Sequence, residues 1–160
     1  MKTATVKELK LELVGRNNNE LVNICLRLSK FKKENKELLT YLLYESSNER
    51  AYIESVKREI NTEFGQINTA SYFYIKKSVR KILRNTKKYI RYSGSKETEV
   101  ELLIFFCTEL KEILPLSEKL LPLKRLFERQ IESIQKAISS LHEDLQYDYS
   151  IELDDLLGVE

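Results

Sequence analysis

Hydrophobic positions recur at spacings of three and four along most of the chain, which is the period of an amphipathic α-helix. One example is the set Ile53, Val56, Ile60 and Phe64 within residues 48–64. No stretch alternates apolar and polar residues over the length of a strand. The pattern therefore predicts an all-α protein, built as a single-domain multi-helix bundle or a short stack of helical hairpins with six or seven helices.

The periodic segments set the predicted boundaries of these helices. They cover residues 5–14, 19–32, 34–46, 48–64, 69–93, 97–114 and 122–146. The second and third could form one kinked helix, because neither glycine nor proline divides them. Residues 102–107, LLIFFC, are apolar on every side, which predicts that the sixth helix lies at the centre of the core. A helical domain of residues 1–146 would then be followed by a flexible acidic C-terminal tail, residues 147–160.

The near-neutral net charge of +2 hides a strong separation of charge along the chain. Residues 64–96 carry nine basic side chains and no acidic one, whereas residues 97–160 carry six basic and fifteen acidic ones. Such an asymmetry within one chain indicates a charged interaction surface or a surface that the chain neutralises itself.

On a helical wheel the basic segment separates into two faces at 100° per residue. The apolar face carries Tyr72, Ile75, Val79, Ile82, Leu83, Thr86 and Ile90. The opposite face carries Lys76, Lys77, Arg80, Lys81, Arg84, Lys87, Lys88 and Arg91, here named the cationic strip. At 1.5 Å per residue the strip extends over about 23 Å.

Three roles are open for the cationic strip. It could be solvated or paired with the acidic residues of 97–160, in which case the tail would mask it. It could bind an acidic protein partner or, less easily, an anionic membrane surface. It could also contact the phosphates of a nucleic acid, with Tyr72, Tyr74, Tyr89 and Tyr92 stacking on unpaired bases. We expect a protein partner first and a nucleic acid second, because the following segment almost balances the charge of the strip.

The last predicted helix carries the most regular apolar stripe. Its members are Phe127, Ile131, Ile134, Ile138, Leu141 and Leu145, spaced as a heptad seam. Three heptads are short for a free coiled coil. The seam is therefore interpreted as intramolecular bundle packing, and a homodimer through this helix is the alternative.

The residues needed for catalysis or metal binding are sparse. His142 is the one histidine and stands beside Glu143 and Asp144, as expected of a surface residue. Cys25 and Cys107 are far apart and each sits in an apolar stretch, which predicts two buried, reduced thiols. No zinc, calcium or phosphate-loop motif is present. We therefore expect no catalytic residues, no cofactor and no metal, and a protein that is not an enzyme.

The N-terminal segment and the apolar runs bear on location. Residues 1–15 interleave charged with apolar residues and do not resemble a secretory signal. The longest uninterrupted apolar run, residues 102–107, is too short to span a bilayer. These features predict a cytoplasmic protein without a transmembrane segment.

Overall fold

The structure, a computed structural model, describes residues 1–113 and 121–159, and this part of the chain contains helices and no strand. The helices are α1 Val6–Val14, α2 Asn18–Phe31, α3 Lys33–Thr40, α4 Glu49–Gly65, α5 Tyr72–Ser93, α6 Lys96–Ile113, α7 Leu121–Ile138 and α8 Glu143–Leu157. A π-helical turn, Tyr41–Glu45, follows α3. The all-α prediction is confirmed, with eight α-helices in the described residues instead of six or seven. Residue 114, the predicted end of the sixth helix, lies outside the described residues.

Several helices begin and end at residues that satisfy the free backbone groups of a helix terminus. Thr5 and Glu8 form a capping box at α1, as Asn17 and Glu20 do at α2. The Ser71 side chain accepts a hydrogen bond from the Phe73 N–H at the start of α5. This cap makes α5 begin three residues later than the sequence predicts.

The chain divides into two compact units. The N-terminal unit, Met1–Tyr44, holds α1, α2, α3 and most of the π-helical turn, and the C-terminal unit, Glu45–Glu160, holds α4 to α8. Within the N-terminal unit α2 and α3 pack against each other as a hairpin. The Asn35 Nδ2 amide donates to the Leu28 carbonyl oxygen across that hairpin at 2.8 Å. The described residues of the predicted domain 1–146 thus belong to two units.

Helix α6 lies at the centre of the C-terminal unit, as its all-round apolar sequence predicts. Its buried residues are Thr98, Val100, Leu102, Leu103, Ile104, Phe106, Cys107 and Leu110. Helices α4, α5, α7 and α8 all pack against it. The ring of Phe106 meets that of Phe64 from α4, with centroids 5.5 Å apart. A helix that is buried on so many sides fixes the positions of its neighbours.

The heptad stripe of the predicted seventh helix faces the interior of the C-terminal unit. Ile131, Ile134 and Ile138 are buried, and Phe127, Leu141 and Leu145 are half-buried. Ile131, Ile134 and Ile138 belong to the core of their own unit. A homodimer through this helix stays a prediction.

The prediction of one helix over residues 122–146 is wrong, because α7 ends at Ile138 and α8 begins at Glu143. The hydroxyls of Ser139 and Ser140 donate to the carbonyl oxygens of Lys136 and Ala137. Side-chain bonds of this kind compete with the backbone ladder at the end of a helix. His142 then caps α8 by accepting from the Asp144 N–H at 3.4 Å.

Residues 147–157 lie within α8 and not in a tail outside the helices. Tyr149, Leu153 and Leu156 of this segment are buried. The Tyr149 hydroxyl lies 3.1 Å from Glu97 Oε1 and 3.1 Å from Glu101 Oε1. Burial and the charges of Glu101 and Glu97 raise the pKa of Tyr149 far above its usual value, so the phenol stays neutral and donates. Tyr149 thereby anchors α8 to α6.

Substitution of Tyr149 tests this anchor. Tyr149→Phe should lower the free energy of unfolding by about 1–2 kcal/mol, because Glu97 and Glu101 lose the one hydroxyl proton that they share. Tyr147→Phe removes the same hydroxyl from a side chain that is 70% exposed and should change stability by less than about 0.5 kcal/mol. Urea unfolding followed by circular dichroism measures both. Equal effects of the two substitutions would contradict the anchoring role.

Candidate functional site

The two faces of α5 lie as the sequence predicts, except that on the apolar face Tyr72 is 40% exposed and Leu83 is half-buried. Ile75, Val79, Ile82, Thr86 and Ile90 are buried, and α5 packs against α4 and α6. Opposite them lies the cationic strip, of which Lys77, Arg80, Lys81, Arg84 and Arg91 are exposed and Lys76, Lys87 and Lys88 are half-buried. Because the apolar face is used by the core, the strip faces outward.

Hydrogen bonds to α4 hold α5 in this orientation. The Tyr52 hydroxyl donates to the Tyr89 carbonyl oxygen at 2.9 Å. The Tyr89 hydroxyl donates to Glu59 Oε1 at 2.7 Å, and Asn85 Nδ2 donates to Glu63 Oε1 at 3.0 Å. Glu59 and Glu63 of α4 therefore bind polar side chains of α5.

Most of the cationic strip has no carboxylate partner among the described residues. Within residues 1–113 and 121–159, no carboxylate oxygen lies within 4.0 Å of the side-chain nitrogens of seven strip residues. These are Lys76, Lys77, Arg80, Lys81, Arg84, Lys87 and Arg91. The eighth, Lys88, lies over the Tyr89 ring, 5.1 Å from its centroid. The described acids of α6 to α8 thus leave these seven cations without an ion pair.

A groove between α5 and α7 adds arginines that the sequence analysis missed. Arg80 lines it together with Arg125 and Arg129, and the groove has a volume of about 520 Å³. Its other lining residues are Leu121, Pro122, Glu128 and Glu132. A second hollow of about 450 Å³, lined in part by Lys87, Gln130 and again Arg129, also lies between α5 and α7. No local sequence signal links Arg125 and Arg129 with α5, because the link is made by packing around α6.

One buried amide faces the same region. Gln130 is 4% exposed, and its Nε2 donates to the Leu126 carbonyl oxygen at 3.1 Å. Its Oε1 has no hydrogen-bond partner among the described residues. That oxygen can accept a hydrogen bond from a donor, such as water, that enters the hollow.

The aromatic residues beside the strip fall into two groups. Tyr72 and Tyr74 are 40% and 49% exposed, and Phe73, which the sequence analysis did not name, is 63% exposed. Tyr89 and Tyr92 are half-buried, with ring centroids 6.2 Å apart. Of the four tyrosines predicted to stack on bases, Tyr72 and Tyr74 therefore expose the most ring surface, at the N-terminal end of α5.

The two cysteines differ in burial. Cys107 is buried, and its burial raises the pKa of the thiol to about 12 against a smaller opposing effect of Lys87. Cys25 is exposed, contrary to the sequence-based prediction, because its helix face is not covered by a core. Both thiols are free.

The described part of the chain contains no candidate metal site and no candidate membrane-spanning helix. Across residues 1–113 and 121–159, no three His, Cys, Asp or Glu side chains converge to hold a metal ion. Among the helices of the same residues, none combines the length and the apolar character needed to cross a membrane.

Comparison with known proteins assigns no relative. No protein-family model matches the chain, and no curated protein or solved structure shows significant similarity to it. Function is therefore inferred from the chain's own residues.

The stability of charge-removing variants tests whether the strip is unpaired. Arg80→Gln should change the free energy of unfolding by less than about 0.5 kcal/mol, because Arg80 forms no ion pair with residues 1–113 or 121–159. Lys57→Gln should lower it by about 1–2 kcal/mol, because Lys57 Nζ lies 2.9 Å from the Glu101 carboxylate, whose side chain is 11% exposed. Thermal or urea unfolding compares the two. A loss for Arg80→Gln as large as that for Lys57→Gln would mean that the strip is neutralised within the chain.

Proposed function

We propose that the protein is a non-catalytic binding module whose cationic strip contacts the phosphate backbone of a single-stranded nucleic acid. The observation that carries this proposal is the row of seven cations without a carboxylate within 4.0 Å among the described residues. Cations without an ion pair on a rigid helix contribute most to the free energy of binding an anionic partner, because no internal ion pair has to be broken first.

The dimensions of the strip suit a phosphate chain. A DNA strand carries one charge per about 3.4 Å of helix axis, so a strip of about 23 Å reaches several phosphates. Arg125 and Arg129 widen the cationic surface on the α7 side of Arg80. Arginine can bind a phosphate through two parallel N–H groups, which adds orientation to the charge attraction.

The exposed rings favour a single strand over a duplex. Tyr72, Phe73 and Tyr74 lie at the N-terminal end of the same helix, where unpaired bases could stack on them. Stacking does not depend on the identity of the base. We therefore expect binding with strong salt dependence and little sequence preference.

Fluorescence anisotropy with a labelled single-stranded oligonucleotide tests the proposal. An Arg80→Gln/Arg84→Gln variant should bind more weakly, and the slope of log K against log salt should fall by about 1.4, or about 0.7 for each lost phosphate contact. Lys10→Gln, an exposed lysine of α1, is the control for loss of charge outside the strip and should leave the slope unchanged. The proposal fails if the wild-type chain does not bind at low salt, or if all variants have the same slope.

An acidic protein is the second candidate partner, favoured by the two glutamates of the groove. Glu128 and Glu132 line the same hollow as Arg80, Arg125 and Arg129. Carboxylates there repel phosphates, whereas a protein surface of mixed charge could pair with both signs.

Two probes of equal length and label separate these candidates. If nucleic acid is the partner, an oligonucleotide should bind at least about fivefold more tightly than poly-glutamate at the same salt, because base stacking adds about 1–3 kcal/mol. Tyr74→Ala should reduce that advantage without changing binding of poly-glutamate. Equal affinities for the two probes, both insensitive to Tyr74→Ala, would favour the acidic protein.

A further inference from the structure

The N-terminal unit exposes most of its apolar side chains. Of the 26 buried hydrophobic residues in the described part of the chain, Tyr41 alone belongs to Met1–Tyr44. Fifteen of the 23 large exposed hydrophobic residues in that part lie in this unit. A folded segment of about 40 residues rarely buries enough apolar surface to be stable alone. The unit therefore needs a further source of stability.

The N-terminal unit lacks two features that stabilise small folded units, a disulfide bond and a bound metal ion. Every residue of the N-terminal unit is described, and Cys25 is its single cysteine. Cys25 and Cys107 are both free, so no disulfide bond crosslinks the unit. No three His, Cys, Asp or Glu side chains converge in the unit to bind a metal. Association with another apolar surface is the device that remains.

The surface available for such an association is a groove between α2 and α3. It has a volume of about 240 Å³ and is lined by Cys25, Leu28, Ser29, Asn35, Leu38, Leu39 and Leu42, here named the hairpin groove. Its two walls match in length. Helix α2 has 14 residues, about 21 Å, and α3 with the π-helical turn has 8 and 5 residues, together about 20 Å.

The hairpin groove exposes apolar side chains on both of its walls. Leu28 on α2 and Leu38 and Leu42 on the opposite wall are 56%, 37% and 55% accessible, and Leu39 is half-buried. Exposed apolar side chains on both walls of one groove are typical of a surface that a partner covers.

We propose that the hairpin groove is a homodimerisation surface, across which the hairpin of a second copy packs to form a four-helix arrangement. A hairpin with an apolar groove between its helices is half of such a bundle, and an equal hairpin can cover the groove over its whole length. This inference goes beyond the proposed function and does not depend on it.

The lining of the groove suits an identical partner. A two-fold contact places the same patch on both sides, so a charged patch would meet its own charge. None of the seven lining residues is charged. Two copies can therefore face each other without burying an ion, and Asn35 and Ser29 supply small polar groups at the groove.

A charge placed in the groove tests the proposal in the full-length chain. Leu28→Glu should raise the dimer dissociation constant at least about tenfold, because a carboxylate would be buried in an apolar interface. Leu26→Glu is the matched control, since Leu26 is on the same helix, is 47% exposed against 56% for Leu28, and does not line the groove. Light scattering coupled to gel filtration over a series of concentrations measures the dimer. Circular dichroism checks that both variants keep their helices.

The wild-type chain supplies a second measurement that needs no substitution. Cys25 lines the groove and is exposed, whereas Cys107 is 0% exposed and serves as an internal unreactive reference. The rate at which a maleimide reagent labels Cys25 should fall as the chain concentration rises through the dimer dissociation constant. At low concentration the rate should approach that of a free thiol.

Each other outcome overturns the proposal. A chain that stays monomeric up to its solubility limit has no such dimer. Protection of Cys25 at every concentration in a monomer means that the chain's own residues cover the groove. A dimer equally weakened by Leu28→Glu and Leu26→Glu, or by neither, uses a different surface.

Discussion

The burial of α6 against four other helices is the constraint on which the C-terminal unit depends. A helix with an apolar surface all round must be covered by other helices, and α4, α5, α7 and α8 cover it. Each of these turns its apolar face toward α6 and its polar face toward solvent. The outward position of the cationic strip, and the nearness of Arg125 and Arg129 to Arg80, follow from this arrangement.

Within residues 1–113 and 121–159, the balance of charge along the sequence does not bring carboxylates within 4.0 Å of seven of the eight strip cations. The acids of α6 find other partners: Glu101 binds Lys57 and Arg50 of α4, and Glu97 and Glu101 accept from Tyr149. Exposed ion pairs contribute about 0–1 kcal/mol, which is too little to bring distant segments together against the packing of the core. The basic charge of residues 64–96 and the acidic charge of residues 97–160 are nearly equal, which suggested from the sequence that the chain neutralises the strip. This balance therefore has little influence on how the helices pack.

Periodicity predicted the faces of helices well and their partners poorly. It identified the central helix, both faces of α5 and most helix bounds, because each depends on local spacing. It missed the break at residues 139–142, since Leu141 and Leu145 continue the heptad spacing of α7 beyond its end. It also predicted that Cys25 of α2 is buried, whereas Cys25 is exposed. Spacing shows which side chains share a face, and whether that face is covered depends on residues far away in the sequence.

The two faces that remain uncovered, the cationic strip and the hairpin groove, lie in different units and differ in chemistry. A row of exposed cations binds an anionic chain weakly at physiological salt, because each contact is screened. In a dimer, once one strip has bound an anionic chain, the second strip binds the same chain in an intramolecular step. This raises the overall affinity without any new kind of interaction. Dimerisation through the N-terminal unit would thus strengthen binding by the C-terminal unit even though no residue is shared between the two surfaces.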